Sequence, residues 1–458
     1  MKPTVILVAG LGFGDEGKGS VTDFLCRTET GVKAVVRYNG GAQAGHNVVT
    51  PFGAHHTFAQ FGSGTFAGVP TFLSRFMLVN PFFLQNEAEG LRRHGFSNPY
   101  EYVFVDRDAL ITNPFQVAAN RLREFERGDK RHGSCGMGIG ETVSDALRFP
   151  DMAIHIRDLN DPASLRRKLL FSRDAKLSEL TDAIERARAD YRQNALDHKE
   201  WQRLELFKDD GLIDEFVDRY SRFVQDTNIV DRTLLRSLLS SGVTLFEGAQ
   251  GVLLDEDYGF HPHTTWSKTT FQNADALLAE AGFTGQVKRL GLLRAYMTRH
   301  GAGPLPTEVD VPNFLTDVHN GYGTFQEGFR LGHFDFVLAQ YALKAIGGVD
   351  ELVLTNLDKL RSQQPKICTR YEVSESSILP TVTELPFMTG PDLKFQEGLT
   401  KLLFKSRPVY ETLADRPSII SRISWTLKTP VTLCSFGPTC ERKFPTHCYH
   451  IQEATWDS

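Results

Sequence analysis

The apolar residues of this chain form short, nearly uninterrupted runs separated by longer stretches with apolar residues at helical spacing. Such runs are typical of strands buried on both faces of a parallel sheet, and the stretches between them predict covering helices. We therefore predict an α/β fold, with a mostly parallel central sheet and helices on both faces. The predicted strands are residues 4–9, 33–37, 102–105, 243–246, 290–293, 351–355 and 430–434.

One long section departs from this alternation. Residues 160–240 are rich in Leu, Arg, Glu, Asp and Ala, carry apolar residues at helical spacing and begin at a cap-like Asp161-Pro162. We predict a largely helical insertion there, with charges on its solvated face. No internal repeat or low-complexity linker divides the chain, so we expect residues 1–458 to form a single elaborated domain.

A glycine-rich loop follows the first predicted strand. Its glycines leave room for backbone N–H groups to surround phosphate oxygens, and Lys18 adds a positive charge just before a predicted helix. The spacing Gly12-x4-Gly17-Lys18 matches a phosphate-binding loop. Gly19, however, stands where such loops usually carry a magnesium-binding hydroxyl.

Two side chains in the glycine-rich loops are candidates for catalysis. Asp15 places a negative charge among phosphate-binding amides, which indicates that it holds a cation or takes a proton, although a solvated loop carboxylate is the simpler alternative. His46 follows the second predicted strand in another glycine-rich loop. A single histidine is more often structural, but Gly45 beside it lets a ligand approach, so we consider it a proton donor.

Several segments resemble the adenylosuccinate synthetase family, which joins IMP and L-aspartate at the expense of GTP. They follow the family order from residue 5 to about 440. The most specific are residues 14–19 (GDEGKG), 36–46 (VRYNGGAQAGH), 246–255 (FEGAQGVLLD), 262–270 and 295–308 (AYMTRHGAGPLPTE).

The resemblance implies a P-loop-like GTP-binding fold and a two-step reaction. Asp15 would remove the N1 proton of the purine, the 6-oxygen would attack the γ-phosphate, and His46 would donate to the oxygen that gains charge. The amine of aspartate would then displace phosphate. Mg²⁺ would be held by Asp15 and the carbonyl of Gly45, with Lys18 as a further catalytic group. The implied GTP contacts in this loop are Gly14, Glu16, Gly17, Lys18 and Gly19.

Guanine selection is implied by an aspartate at the end of a predicted strand. The carboxylate of Asp358 can accept hydrogen bonds from N1–H and the 2-amino group of guanine, which adenine does not offer. Asn356 replaces a lysine of the family motif. A second guanine-side segment contains Ser435, Gly437 and Pro438.

The acceptor-nucleotide site departs from the family pattern. Its implied residues are Gln43, Ser134, Cys135, Arg148, Gln250 and Thr265. The loop at 133–140 keeps the family glycines but lacks the family hydroxyl and guanidinium, and Gln43 replaces an asparagine. Arg148 is the nearest match to the arginine that family dimers lend to the neighbouring subunit, so we expect a homodimer.

The amine-donor site departs from the family pattern more than the acceptor site does. Its implied residues are Thr298, Arg299, Thr324 and Arg330. The family clamps both carboxylates of aspartate with several arginines, but this chain has Glu327 and Phe329 at positions where cations are expected. Either the donor is less acidic than aspartate, or cations such as Arg299 compensate. The acceptor could likewise be a related nucleotide or nucleoside.

Composition and charge argue against several other classes of protein. A net charge of −5 argues against a non-specific nucleic-acid or membrane binder. No apolar run is long enough for a membrane span or a signal peptide, and we expect a cytoplasmic protein. A GTP-sensing protein without turnover would not need both Asp15 and His46. A simple GTPase or kinase would be expected to have a hydroxyl at position 19.

Overall fold

A computed structural model describes residues 2–128, 134–192, 204–309, 328–360, 365–373 and 381–448. The strands in these ranges are β1 Thr4–Gly10, β2 Val32–Arg37, β3 His46–Val49, β4 His55–Phe58, β5 Thr71–Leu73, β6 Leu78–Val79, β7 Val103–Asp106, β8 Leu110–Ile111, β9 Asn228–Val230, β10 Val243–Gly251, β11 Gln286–Arg294, β12 Met297–His300, β13 Phe329–Gly332, β14 Phe334–Asp335, β15 Glu351–Thr355, β16 Lys366–Val373, β17 Thr381–Val382, β18 Ser406–Thr412, β19 Val431–Ser435 and β20 Lys443–Pro445. The α-helices are α1 Lys18–Thr28, α2 Pro81–Arg93, α3 Pro114–Arg127, α4 Ile139–Arg148, α5 Pro162–Arg192, α6 Gly211–Asp226, α7 Arg232–Ser240, α8 Gln272–Ala281, α9 Phe336–Ile346, α10 Leu393–Phe404 and α11 Arg416–Leu427.

The central sheet has the strand order β20-β19-β15-β11-β1-β10-β2-β5-β7-β9. All neighbouring pairs are parallel except β19 and β20. Each of the seven predicted strands lies in this sheet, and the predicted α/β class is confirmed. Smaller sheets pair β12 with β13, β3 with β4, β6 with β8, and β16 with β14, β17 and β18.

Strand β1 illustrates why the apolar runs are continuous. Val5 and Leu7 pack into one hydrophobic cluster, whereas Ile6 and Val8 pack into another on the opposite face of the sheet. Successive side chains of a strand point to opposite faces, so a strand covered on both sides needs apolar residues at every position.

The section at 160–240 contains α5, α6 and α7, as its helical spacing predicts. It also contains β9, which pairs in parallel with β7 and forms one edge of the central sheet. The sequence pattern does not predict this strand, because three residues are too few to show a periodic alternation. No helix in the described ranges combines the length and apolar character that a membrane crossing needs.

The parallel sheet brings the sequence motifs together. The strands β1, β2, β10, β11, β15 and β19 are neighbours in the sheet and run in the same direction. Their carboxyl ends therefore lie along one edge, and the loops that follow them meet there. In open α/β sheets this edge is where ligands bind.

Candidate active site

The loop between β1 and α1 is held from behind by Glu16. Its Oε1 accepts hydrogen bonds from the N–H groups of Gly12 at 3.0 Å and Gly14 at 2.8 Å, and its Oε2 accepts one from Lys18 Nζ at 2.6 Å. Both charged side chains are buried. The Glu16 side chain thus shapes the loop and does not line the cleft, in contrast to the direct GTP contact that the resemblance implies, because its oxygens are already paired with the loop.

The loop leaves the start of α1 open to an anion. Gly17, the residue before the helix, has a φ of 84°, and no side chain caps the first helical N–H groups. The loop backbone is also held by the end of β15, because Thr355 Oγ1 donates a hydrogen bond to the carbonyl of Glu16 at 2.9 Å. Uncapped N–H groups at a helix N-terminus bind phosphate well.

A cleft of about 320 Å³ opens above this loop. It is lined by Asp15, Gly17, Lys18, Gly19, Ser20, Gly45, His46, Asn47, Val49, Arg294, Thr355, Asn356, Asp358, Lys359, Ser435, Gly437 and Pro438. These residues come from loops at the carboxyl ends of five sheet strands. Most residues expected to contact GTP or carry catalysis therefore share one cleft, whereas Gly14 and Glu16 do not line it.

Asp15 lies at the cleft with an unusual backbone and two protein partners. Its φ is 61°, a left-handed value that is strained for a residue other than glycine. His300 Nε2 lies 2.9 Å from its Oδ2, and Arg294 Nη1 donates to its carbonyl at 3.0 Å. Burial disfavours the charged carboxylate, but the contact with His300 and the charges of His300, Arg294 and Lys18 outweigh it and lower the pKa of Asp15. The side chain is therefore ionised at neutral pH.

His46 is oriented by a buried carboxylate. Its Nδ1 lies 2.7 Å from Glu247 Oε1, and the N–H of Ser63 donates to Glu247 Oε2 at 3.0 Å. Burial opposes ionisation of Glu247, but the hydrogen bonds from His46 and Ser63 and the charge of Arg37 lower its pKa. Burial lowers the pKa of His46, so the resting imidazole is neutral. Among the described residues His46 Nε2 is buried without a hydrogen-bond partner, at a wall of the cleft.

The far end of the cleft carries the residues expected to select guanine. Asp358 lies in the short 3-10 helix that follows β15. Across from it, Ser435 Oγ donates to the carbonyl of Gly437 at 3.2 Å, and Lys443 Nζ donates to the carbonyl of Thr439 at 2.9 Å. These contacts keep the turn after β19 in place, so one carboxylate and a rigid backbone turn face the same space.

Two buried amides mark the acceptor side. All the amide nitrogen and oxygen atoms of Gln43 and Gln250 lack a hydrogen-bond partner within the described part of the chain. A Cβ on Gly40 would lie 3.3 Å from Gln250 Oε1, and one on Gly41 would lie 3.0 Å from Gln43 Oε1 and 2.6 Å from Ile139 Cδ1. The loop after β2, the carboxyl end of β10 and the start of α4 therefore converge there. Buried amides without partners are expected where a polar ligand binds.

The other residues expected at the acceptor site each have different surroundings. Ser134 Oγ accepts from Asn120 Nδ2 at 2.9 Å, and burial raises the pKa of the Cys135 thiol to about 12, so it is not a nucleophile. The backbone N–H of Thr265 donates to the carbonyl of Leu254 at 2.8 Å. Arg148 lies at the opposite end of α4 from the loop and forms an ion pair with Glu179. A role for Arg148 at the acceptor phosphate stays a prediction that involves a second subunit.

On the donor side, the pairing of β12 with β13 separates the arginines from Asp15. In this antiparallel pair Arg299 lies opposite Arg330, and His300 lies opposite Phe329. Neighbouring residues of a strand point to opposite faces. Because His300 contacts Asp15, both arginines belong to the other face of the pair.

The guanidinium groups of Arg299 and Arg330 both have hydrogen-bond partners on that face. Arg299 is buried and donates to the carbonyls of Ala302, Pro304 and His263, each at 3.1 Å. Arg330 forms a bidentate ion pair with Glu308 and donates to the carbonyls of Gly301 at 3.0 Å and Gly303 at 2.8 Å. These arginines hold the turn after β12 and are not among the residues that line the cleft, and their role in donor binding stays a prediction. Thr298 is buried on β12, and Thr324 lies outside the described residues.

The oxygen atoms near the loop fit a magnesium site. Asp15 supplies an ionised carboxylate, and Gly45 supplies a backbone carbonyl at the same cleft. A Cβ on Gly45 would lie 2.8 Å from Thr57 Cγ2, so the backbone there passes close to its neighbours. Mg²⁺ prefers one or two carboxylate or carbonyl oxygens together with phosphate oxygens and water, which agrees with this small donor set.

Three contributors were not predicted from the sequence. Glu247 lies inside the segment FEGAQGVLLD, where its position three residues before Gln250 could have indicated a role. Arg294 immediately precedes the segment at 295–308, and His300 lies inside it at a position to which the resemblance gives no role. Only the fold brings them to Asp15 and His46.

A parallel α/β sheet, a phosphate-binding loop and an acid and a histidine in one cleft define the class: a nucleotide-dependent enzyme. The sequence model of the family described as adenylosuccinate synthetase matches residues 7–444. The adenylosuccinate synthetase of Mycobacterium leprae is 34% identical over 383 residues, which are 81% of each protein. That of Mycobacterium bovis is 32% identical over 417 residues, 90% of this chain and 86% of the relative. The chain belongs to the adenylosuccinate synthetase family of GTP- and magnesium-dependent ligases.

Two solved structures share the fold. The fully ligated adenylosuccinate synthetase of Plasmodium falciparum has a TM-score of 0.71 at 22% identity and covers 96% of this chain and 99% of its own. The succinoaminodeoxyadenylate synthetase of cyanophage S-2L, bound to dGMP and dATP, has a TM-score of 0.57 at 16% identity and covers 97% of this chain and 96% of its own.

Proposed function

We propose that this enzyme uses GTP and Mg²⁺ to phosphorylate the 6-oxygen of IMP and then joins the purine to the amine of L-aspartate, giving adenylosuccinate. The observation that carries the proposal is the meeting of Asp15, Lys18 and His46 Nε2 in one cleft that ends at Asp358. A base, a phosphate site and a guanine-selecting carboxylate in this order match the requirements of the reaction.

In the proposed mechanism the ionised Asp15 accepts the N1 proton, which makes the 6-oxygen nucleophilic. The 6-oxygen attacks the γ-phosphorus of GTP, the bond between that phosphorus and the oxygen bridging to the β-phosphate breaks, and GDP leaves. The loop amides and the start of α1 hold the transferred phosphate. The negative charge of a bound triphosphate favours protonation of His46 at Nε2, and Glu247 stabilises the imidazolium that donates to the phosphate. Asp15 and the carbonyl of Gly45 would hold Mg²⁺, whose charge neutralises the phosphate oxygens when it is bound.

The 6-phosphoryl group formed in this way is a much better leaving group than hydroxide. Attack of the donor amine at C6 then forms the C–N bond and breaks the C6–O bond, and the departing inorganic phosphate takes up the proton that the amine loses. Gln43 and Gln250, whose buried amides have no partner in the described residues, are proposed to bind the acceptor nucleotide.

The direct test is phosphate release from GTP in the presence of Mg²⁺ and IMP, with and without L-aspartate, followed by mass spectrometry of the nucleotide. We expect adenylosuccinate, GDP and phosphate only when all three substrates are present. Protein that binds GTP but forms no adduct would contradict the assignment of IMP or aspartate.

Asp358→Asn tests the guanine assignment. We expect the ratio of kcat/KM for GTP to that for ATP to fall by at least about tenfold, since one or two charge-assisted hydrogen bonds to guanine are lost. Steady-state kinetics with each nucleotide measure the ratio. A ratio equal to that of the wild type would mean that guanine is selected elsewhere.

A second candidate function has the same phosphoryl chemistry with a different amine donor. It is favoured by the pairing of β12 with β13, which leaves Arg299 and Arg330 bound to carbonyls and Glu308 on the face away from Asp15. A dicarboxylate would need free guanidinium groups there. The phosphate-release assay with aspartate replaced by monocarboxylic, neutral and basic amines, and IMP replaced by dGMP, distinguishes the two candidates.

We further propose that the enzyme acts in the cytoplasm as a homodimer, as the family resemblance implies. The residue to which the resemblance gives the role across the subunit interface is Arg148, a half-exposed arginine at the end of α4 that is paired with Glu179.

A further inference from the structure

We propose that His300 is a positioning residue for Asp15, and that it acts by donating a hydrogen bond from Nε2 to Asp15 Oδ2. This inference rests on the proposed role of Asp15 as the base, and it adds a residue that neither the sequence motifs nor the family resemblance assigned.

The first observation is that Asp15 needs support. Its φ of 61° is left-handed, a conformation that residues other than glycine rarely adopt and that persists only where the surrounding structure holds it. Its neighbours Gly14 and Gly17 have positive φ values as well, so the loop itself has little stiffness from side chains. A carboxylate on such a loop keeps one orientation only if other elements hold it.

The second observation is that two contacts from one part of the fold do so. Arg294, at the end of β11, donates to the backbone carbonyl of Asp15 at 3.0 Å, and His300, on β12, contacts its Oδ2 at 2.9 Å. Backbone and side chain of Asp15 are therefore both held by residues six positions apart on the chain.

The third observation is that His300 is itself held in place. Its ring centroid lies 4.9 Å from that of Phe329, its partner in the β12–β13 pair. Arg294 is buried and its Nη2 donates to Tyr296 Oη at 2.5 Å, and the guanidinium lies 5.8 Å from the ring centre of Phe329. The Phe329 ring thus restricts the position of His300, and His300 in turn holds the Asp15 carboxylate.

The consequence concerns the direction of the carboxylate. With Oδ2 engaged by His300, rotation of the Asp15 carboxylate is restricted, and the group faces the cleft in one arrangement. Misplacing a base by about 1 Å can cost about 100-fold in rate, whereas nucleotide binding depends on other groups of the cleft. Loss of His300 should therefore lower kcat more than it raises the KM for GTP.

The test compares three substitutions in the full-length enzyme. His300→Phe keeps an aromatic ring against Phe329 but has no donor, and His300→Ala removes both. We expect each to lower kcat by about 10- to 100-fold with less than about threefold change in the KM for GTP. His300→Gln places an amide nitrogen where Nε2 lies and should restore kcat to within about fivefold of the wild type.

A matched control is the same set at His94, a histidine at the end of α2 that does not line the cleft. Wild-type kcat in His300→Phe would overturn the proposal, as would a loss in His300→Gln equal to that in His300→Ala, or a loss confined to KM. Thermal melting of each variant verifies folding. Failure of the proposed function is recognised separately, because the wild type would then form no adenylosuccinate, whereas a wrong role for Asp15 would show as unchanged turnover in Asp15→Asn.

Discussion

Asp15→Asn is expected to lower the rate of adenylosuccinate formation by about 10²- to 10⁴-fold, to the limit of detection. The amide has the same shape as the carboxylate but accepts no proton from N1 and carries no charge for a metal ion. GTP binding should persist, because Lys18, the start of α1 and Asp358 remain. Mass spectrometry of the nucleotide product measures turnover, and calorimetric titration with GTP measures binding.

The control for this variant is Asp275→Asn, which makes the same chemical change at a half-exposed aspartate paired with Arg289. We expect that variant to keep wild-type turnover, since exposed ion pairs contribute little to stability. Unchanged turnover in Asp15→Asn would remove Asp15 from the mechanism. Loss of GTP binding together with turnover would assign it to binding instead of proton transfer.

His46→Ala is the second large effect, with an expected loss of at least about 100-fold in kcat. The reason is geometric: His46 Nε2 lies at the cleft wall, and Glu247, 2.7 Å from Nδ1, stabilises the protonated ring. Steady-state kinetics with saturating GTP measure kcat. A loss of only a few-fold would indicate a structural histidine.

Stability must be measured together with activity in this case. Truncating His46 leaves the buried Glu247 with Ser63 as its remaining hydrogen-bond partner among the described residues, and a buried charged group that loses such a partner costs about 1–3 kcal/mol or more. His46→Asn serves as the matched variant, because its amide can donate to Glu247 from the position of Nδ1 but does not exchange protons near neutral pH. If it folds as the wild type does and still loses at least about 100-fold, the loss is catalytic.

The central sheet was predictable because its strands are buried on both faces. Short, nearly uninterrupted apolar runs identified β1, β2, β7, β10, β11, β15 and β19, and parallel strands joined by helices then place their loops at one edge. Strand β9 was not predicted, because a strand of three residues inside a helical section is too short to show a periodic pattern.

The glycine-rich loops were readable for a similar reason. Phosphate binding depends on backbone geometry, and a backbone that must approach a ligand closely leaves glycines at characteristic spacings in the sequence. Asp15, Lys18 and His46 could be picked out because they stand inside such loops. Local chemistry therefore identified the kind of enzyme from residue types alone.

The partners of those residues depend on contacts between distant segments. Glu16 looked like a ligand of GTP and instead supports the loop, because its oxygens meet the N–H groups of Gly12 and Gly14. Arg299 looked like part of a carboxylate clamp, but it pairs with three carbonyls on the far side of β12.

The same register brings His300 to Asp15, although 285 positions separate them in the chain. A shift of one residue along a strand exchanges its two faces, and nothing in the local sequence reports which face meets the cleft. The type of chemistry thus followed from short motifs. The orientation of Asp15 and the contacts of Arg299 and Arg330 followed from strand pairing across the whole fold.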